Sequence, residues 1–314
     1  MTNISSKFQT NIPLSKYSRM RVGGDAKYLL EAKDLNEIIS AIKYAQENNI
    51  DYIVVGEGAN IIFSDYGFDG LVIINQSSTI SFLENNLVIV DSGVKNNHFV
   101  LKCAEKNLGG LDYLAAIPGT IGGAIYGNAG AFGNFITDLI ESVTLFLPDG
   151  NIAIKSKSQL KPLYRSTLIK RVAKRDKRLS PIILSAKFKL MSSHSETIIK
   201  SIKELDKIRQ KRQPKNKYFV SGSTFKNPAG RPSGKNENTE FIHKTAAWLL
   251  DDSGAKKIKI DGARVSLDNA NWIENNGKAA AQDIYAIVSE MKKAVLAKHQ
   301  IKLEEEIEFI GKFE

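Results

Sequence analysis

The polar groups that could do chemistry in this chain are the loop Ser221-Gly222-Ser223-Thr224-Phe225-Lys226-Asn227-Pro228 and the acidic run Glu304-Glu305-Glu306, while Arg165, a lone arginine after Tyr164, says little by itself. A serine can give up a proton, Lys226 and Asn227 can bind anions, and an arginine fork suits a carboxylate or phosphate. Glu304 and Glu306 stand two apart, so on a strand running toward Phe309 they share one face. Two glycine-rich stretches offer a second kind of chemistry. Val54-Val55-Gly56-Glu57-Gly58-Ala59-Asn60 reads as a strand entering a glycine turn, whose successive N–H groups can form an anion nest. It is not a GxGxxG fingerprint, because Phe63 stands where helix packing requires glycine, nor a P-loop, because no Lys-Ser/Thr follows. Residues 109–133 hold eight glycines among apolar residues. Glycine costs roughly 0.5–1 kcal/mol per site in regular structure, so this density points to backbone packed close against a ligand. Each feature also has a plainer reading: a tight turn, capping hydroxyls, a solvated strand, a turn-rich connection.

Other chemistry is excluded. Cys103 is the only cysteine, so there is no internal disulfide, CxxC pair or cysteine-based zinc site. His98, His194, His243 and His299 lie far apart, no HExxH exists, and no metal is expected. The first residues lack the apolar core of a signal peptide, and no run nears the ~18 apolar residues of a membrane span. A cytoplasmic protein with no membrane attachment is expected. Lys and Arg total 44 against 34 Asp and Glu, a net charge of +10. Residues 1–150 carry 10 basic and 16 acidic side chains, so the whole positive excess falls in residues 151–314. A basic half suits nucleic acid, an anionic membrane surface, a polyanionic small substrate, or a lysine-rich solvated surface. Nucleic-acid binding calls for aromatics interleaved with Lys and Arg, and residues 168–217 contain only Phe188, so no nucleic-acid partner is expected.

These groups need elements to hold them. With 314 residues, 42% of them hydrophobic, the chain exceeds what one core serves, and two domains are expected. Asp34 followed by Glu37 opens a helix to Asn48, and a second helix runs from about Asn97 to Leu108. Strands are expected at 50–55, 61–63, 71–74, 87–90, 143–146 and 181–190, and the basic run 168–180 reads as a solvated loop. A helix over 193–212 stops at Pro214, which marks a domain boundary. Beyond it come the loop-rich stretch 221–240, a helical patch at 246–253, a strand-like 258–265 and a long amphipathic helix at 279–299. Strands and helices mix without a βαβ repeat, so the fold class is α+β.

In their joint order these segments resemble the UDP-N-acetylmuramate dehydrogenase family, also called UDP-N-acetylenolpyruvoylglucosamine reductase. The resemblance runs from about Tyr17 to Gly311. It is carried by Arg21-Val22-Gly23-Gly24-Asp25-Ala26, Val55-Gly56-Glu57-Gly58-Ala59-Asn60, and above all Ile117-Pro118-Gly119-Thr120-Ile121-Gly122-Gly123-Ala124 with Asn128-Ala129-Gly130-Ala131-Phe132-Gly133. Tyr164-Arg165-Ser166, Gly222 to Pro228, Gly262 to Ser266, and Leu303 to Ile307 follow in family order. The short spacing between Arg165 and Ser223 is similar to the compact branch, which lacks a substrate-capping insertion.

The resemblance implies a two-part FAD-binding domain of the vanillyl-alcohol-oxidase-like (PCMH) type over 1–212, in subdomains of about 1–80 and 81–212. It implies a smaller α+β substrate-binding domain over 213–300, and a strand at 301–314 returning to the active site. The implied activity is reduction of UDP-N-acetylglucosamine enolpyruvate to UDP-N-acetylmuramate with FAD and NADPH, by a monomer. Val55, Gly56, Glu57, Gly58, Ala59, Asn60, Pro118, Gly119, Thr120, Gly122, Gly123, Asn128, Ala129 and Gly130 would hold FAD. Arg165 would take the substrate carboxylate, Ser223 would donate the proton, and Glu306, protonated through a raised pKa, would support the intermediate. Tyr164, Lys226 and Asn227 would contact substrate. The chain departs from the family at Ala59, which replaces a serine, and at Asp112 and Asn269. A different flavin enzyme, a sugar or alcohol oxidase, often binds flavin covalently, and His98 and Cys103 lie outside the glycine motifs.

Overall fold

The computed structural model describes residues 4–211, 213–214, 218–228 and 245–314. The expected loop-rich stretch thus falls outside the described residues from 229 to 240. Two compact units form. One contains residues up to Gln9, Leu29–Glu57 and Gly70–Ile208; the other contains Thr10–Tyr28, Gly58–Asp69 and Arg209–Glu314. Residues 10–28 and 58–69 belong to the same unit as the C-terminal residues from Arg209 onward. The reason is burial: Met20, Val22 and Ile62 pack in one apolar core with Leu249, Ile284, Ile287 and Met291.

In the first unit, helix α1 (Leu35–Glu47) begins where Asp34 accepts the Glu37 N–H, and its buried stripe is Ile38, Ala41, Ile42 and Ala45. Tyr52–Val55 runs parallel to Phe68–Asn75, with Val55 opposite Ile74. The larger sheet is antiparallel in the order 152–156, 140–146, 182–189, 87–91, 80–82. Alternation along Leu87–Asp91 turns Val88 and Val90 inward, where Phe188 meets Phe99 of helix α2 (Asn96–Ala104) with ring centroids 5.3 Å apart. Helix α2 ends four residues before the expected Leu108, and Leu108–Gly109 pairs instead with Met191–Ser192.

The glycine-rich block is not all turn. Ile121–Tyr126 forms a short helix, α3, whose Ile121, Ala124 and Ile125 are buried. The basic run is not a solvated loop either. Leu168–Arg175 is helix α4, with Ile169 and Lys170 buried, followed by a 3-10 turn at Lys177–Leu179. Burial of the Lys170 stem, with its ammonium 5.5 Å from the Tyr126 ring centre, explains why a charge run can belong to a helix. Helix α5 spans Ser195–Gln210; its Ile198 is buried, and its Ile202 and Leu205 pack against the core that contains Val88, Phe99 and Phe188.

The second unit holds a four-stranded antiparallel sheet in the order 219–220, 273–275, 263–265, 259–260. Helix α6 (Ala246–Asp252) starts with Thr245 capping the Trp248 N–H, and α7 (Ala281–His299) buries Ile284, Ile287, Val288, Met291 and Val295. Residues 303–307 are not a strand. Glu305 makes only an isolated antiparallel bridge with Phe225, and continuous pairing begins at Glu308, where Glu308–Ile310 runs parallel to Ile61–Phe63. No described helix is long and apolar enough to cross a membrane.

Candidate functional site

In the first unit the two glycine segments lie against each other. The Gly119 N–H donates to Glu57 Oε2 at 2.8 Å, and the Lys95 ammonium stands 3.5 Å from Glu57 Oε1. A Cβ on Gly56 would fall 2.3 Å from Thr120 Oγ1, so only glycine permits this approach. Gly122 is similarly confined, since its Cβ would lie 2.9 Å from Ser92 Cβ. Among the described residues of this unit, the N–H groups of Gly56 and Glu57 donate to no protein acceptor, nor do those of Thr120 and Gly123. Clustered N–H groups without acceptors suit an anion, and both segments therefore fit the diphosphate of FAD. Ala59 adds no hydroxyl to this set.

The inner face of the 117–122 segment is pinned. Asn96 donates its main-chain N–H to Gly119 O at 3.0 Å and its Nδ2 to Ile117 O at 3.1 Å. Ile121 N–H donates to Val94 O and Gly122 N–H to Ser92 O, at 2.9 and 2.8 Å. A buried network backs Ser92: Asn75 Nδ2 donates to its Oγ at 2.7 Å, Ser77 O–H donates to Asn75 Oδ1 at 2.7 Å, and Gly93 N–H donates to Ser77 Oγ. Buried polar groups satisfied this way fix one conformation.

Arg165 sits on a two-residue turn closed by Leu163 and Ser166, whose N–H groups donate to each other's carbonyls. Its φ of 53° lies in the left-handed region, which costs a non-glycine residue of order 1–3 kcal/mol and is often found where function requires it. Its Nη2 donates to Gly130 O at 3.0 Å, and its guanidinium lies 5.2 Å from the Tyr164 ring centre. Asn128 Nδ2 donates to Leu163 O while its Oδ1 accepts from Thr137. The buried Asn128 side chain is thus committed to holding the arginine turn rather than free for a cofactor. Arg171 of α4 braces the same turn by donating to Lys161 O at 2.8 Å and Ser166 Oγ at 3.3 Å.

In the second unit, the loop carrying Ser223 is tied to the acidic run. Glu306 N–H donates to Thr224 O at 2.8 Å, and Lys226 N–H donates to Glu304 O at 2.9 Å. Thr224 N–H donates to Asn271 O, and the Asn271 side chain bonds both the N–H and the carbonyl of Phe225. Ser223 therefore precedes a residue fixed from two sides, and Glu306 lies beside it in the same strip. Lys226 Nζ is 2.6 Å from Glu304 Oε1, and Asn227 Oδ1 accepts the Ala246 N–H at the start of α6. Both residues already have protein partners, with Asn227 extending the helix cap.

Sequence reading missed Asn75, Ser92, Asn96 and Arg171. Asn96 and Asn75 carry a faint signal, an amide beside an apolar run, but their partners are set by tertiary approach. Arg171 carried none within a charge run.

Comparison with known proteins places these features in a family context. A model for an FAD binding domain matches residues 26–154, and a model for the UDP-N-acetylenolpyruvoylglucosamine reductase C-terminal domain matches residues 213–310. A UDP-N-acetylenolpyruvoylglucosamine reductase from Lachnoclostridium phytofermentans is 31% identical, over 96% of this chain and 92% of that protein. The enzyme of that name from Caldicellulosiruptor saccharolyticus is 33% identical, over 100% of this chain and 95% of that one. The crystal structure of UDP-N-acetylenolpyruvylglucosamine reductase from Thermus caldophilus superposes with a TM-score of 0.76 at 26% identity, covering 97% of this chain and 100% of that chain.

Proposed function

The chain belongs to the UDP-N-acetylenolpyruvoylglucosamine reductase family, and from that premise we propose that it reduces UDP-N-acetylglucosamine enolpyruvate to UDP-N-acetylmuramate with FAD and NADPH, in peptidoglycan precursor synthesis. The observation that carries this reading is the pair of glycine segments whose N–H groups stand without acceptors. When bound, FAD supplies the two-electron relay between NADPH and the enolpyruvyl double bond. Gly56, Glu57, Thr120 and Gly123 hold its diphosphate through backbone N–H groups.

Arg165 binds the substrate carboxylate, its fork presented by a strained turn that Asn128 and Arg171 hold. Reduction at the vinyl carbon leaves electron density on the carboxylate-bearing carbon, which needs positive charge and a proton. Arg165 supplies the first. Ser223 Oγ gives the proton to that carbon, and the carboxyl of Glu306, whose N–H bonds the carbonyl of the neighbouring Thr224, supports the developing charge. Tyr164 stacks on Arg165 and limits its motion. Lys226 and Asn227 face the sugar nucleotide only to the extent that Glu304 and α6 leave them free. In this reading 1–212 is the FAD-binding part, 213–300 the substrate-binding part, and 301–314 returns Glu306 to the site. The enzyme works as a cytoplasmic monomer.

The test is anaerobic. The purified protein should be yellow, NADPH should bleach it, and the enolpyruvyl sugar nucleotide should restore the colour with formation of UDP-N-acetylmuramate. A colourless protein that takes up no FAD defeats the reading.

A further inference from the structure

We propose that Asn96 is a positioning residue for FAD: its main-chain N–H fixes the Gly119–Thr120 peptide with the Thr120 N–H turned away from α2, and its side chain anchors the backbone leading into that peptide at Ile117. The inference rests on the function proposed above and concerns a residue outside both glycine motifs. Peptide units in a glycine-rich loop are free to flip, and a flipped unit would present a carbonyl to the diphosphate where an N–H is needed. Three carbonyls in this region are at issue. Gly119 O takes the main-chain N–H of Asn96 at 3.0 Å, Ile117 O takes its Nδ2 at 3.1 Å, and Ala115 O takes Asn97 Nδ2 at 3.2 Å.

Asn96 thus grips the carbonyls on either side of Pro118, which itself has no N–H to anchor. The Gly119 carbonyl shares its peptide with the Thr120 N–H, so turning that carbonyl toward α2 turns the Thr120 N–H the other way, where it has no protein acceptor among the described residues. The Ile117–Pro118 peptide carries no N–H, and the bond that its carbonyl accepts from Nδ2 fixes the backbone that leads into the loop. The side chain is 1% exposed, and its Oδ1 has no hydrogen-bond partner among the described residues. An unpaired buried acceptor costs stability, so a merely structural site would favour an apolar residue here. What the amide contributes is the Nδ2 bond to Ile117 O. That bond fixes the peptide immediately before Pro118, close to the Gly119–Thr120 unit, whereas Asn97 makes the same kind of bond two residues earlier, at Ala115.

The test compares Asn96→Ala with Asn97→Ala. Apoprotein of each is titrated with FAD, following flavin fluorescence, and its melting temperature is measured without FAD. Asn96→Ala should weaken FAD binding about tenfold or more, whereas Asn97→Ala should change it less than about threefold, at comparable losses of melting temperature. Asn96→Asp, which keeps the volume but opposes a carboxyl to Ile117 O, should lose at least as much affinity and provides the comparison if the alanine variant does not fold. Equal FAD affinities for the Asn96 and Asn97 variants overturn the proposal while leaving the function intact. Wild-type apoprotein that does not bind FAD overturns both.

Discussion

Asn60 Nδ2 donates to the main-chain carbonyl of Glu306 at 2.7 Å, joining the end of the glycine turn to the acidic run across 246 positions of sequence. Glu308 N–H donates back to Asn60 O at 2.9 Å, so Asn60 holds this strip at two points, one through its side chain. Asn60→Ala removes the side-chain bond and leaves a partly buried carbonyl short of a donor, at a cost of about 1–3 kcal/mol. The expected outcome is a lower melting temperature together with a fall in kcat, because the Glu306 backbone keeps its bond to Thr224 but loses the one to Asn60. Thermal melts and steady-state rates check it; a variant indistinguishable from wild type in both would show the bond to be idle.

Ser223→Ala separates the two halves of the reaction. NADPH should still bleach the bound flavin at the wild-type rate, since no proton from Ser223 is needed there. Reoxidation by the enolpyruvyl sugar nucleotide should slow by roughly 10²–10⁴-fold, the usual worth of a positioned proton donor. Stopped-flow absorbance follows both phases. Reoxidation slowed only a few-fold would mean that water replaces the hydroxyl.

Gly122→Ala places a methyl 2.9 Å from Ser92 Cβ and 3.1 Å from Ser92 O, both anchored by the Asn75 network. Because that network is buried and satisfied, it yields poorly, and overpacking of this kind costs about 1–3 kcal/mol. Lower stability and reduced FAD content on purification are expected. Gly133→Ala, whose Cβ meets nothing within 4 Å, tests the neighbourhood for non-specific effects, although its φ of 88° makes some strain unavoidable.

Cys103 is buried in α2, and burial pushes its thiol up to about 12. The native protein should resist thiol reagents at pH 8 and react once unfolded, which a colorimetric thiol assay measures. The folded value exceeds the reference value of 9.0, so this group's contribution is complete below about pH 9 and is lost as pH rises toward 12. Cys103→Ala should lessen the fall in melting temperature over that alkaline range, while its small cavity lowers stability at all pH values.

Local elements were largely legible. Asp34 and Glu37 marked the start of α1, and the stripe from Ile284 to Val295 marked α7, because capping and periodicity act within a few residues. Legibility failed where distant contacts override local preference. The glycines of α3 suggest turns, yet Gly122 is helical because Ser92 and Val94 accept the N–H groups of its first turn. Residues 168–175 look solvated, yet Ile169 and the Lys170 stem find a buried face. Glu304 and Glu306 alternate as in a strand, but the segment makes only the isolated bridge of Glu305 with Phe225 before continuous pairing starts at Glu308.

By itself the sequence determined the family, the positions of the glycine segments, and the candidate chemistry of Arg165, Ser223 and Glu306, since these depend on residue type and order. Tertiary structure alone decided that residues 10–28 and 58–69 join the C-terminal unit, that Asn128 serves the arginine turn, and that Asn96 grips Ile117 and Gly119. The reason is physical. Hydrogen-bond partners and buried contacts are chosen by which backbones approach in space, and side chains dozens or hundreds of residues apart carry no local mark of that approach.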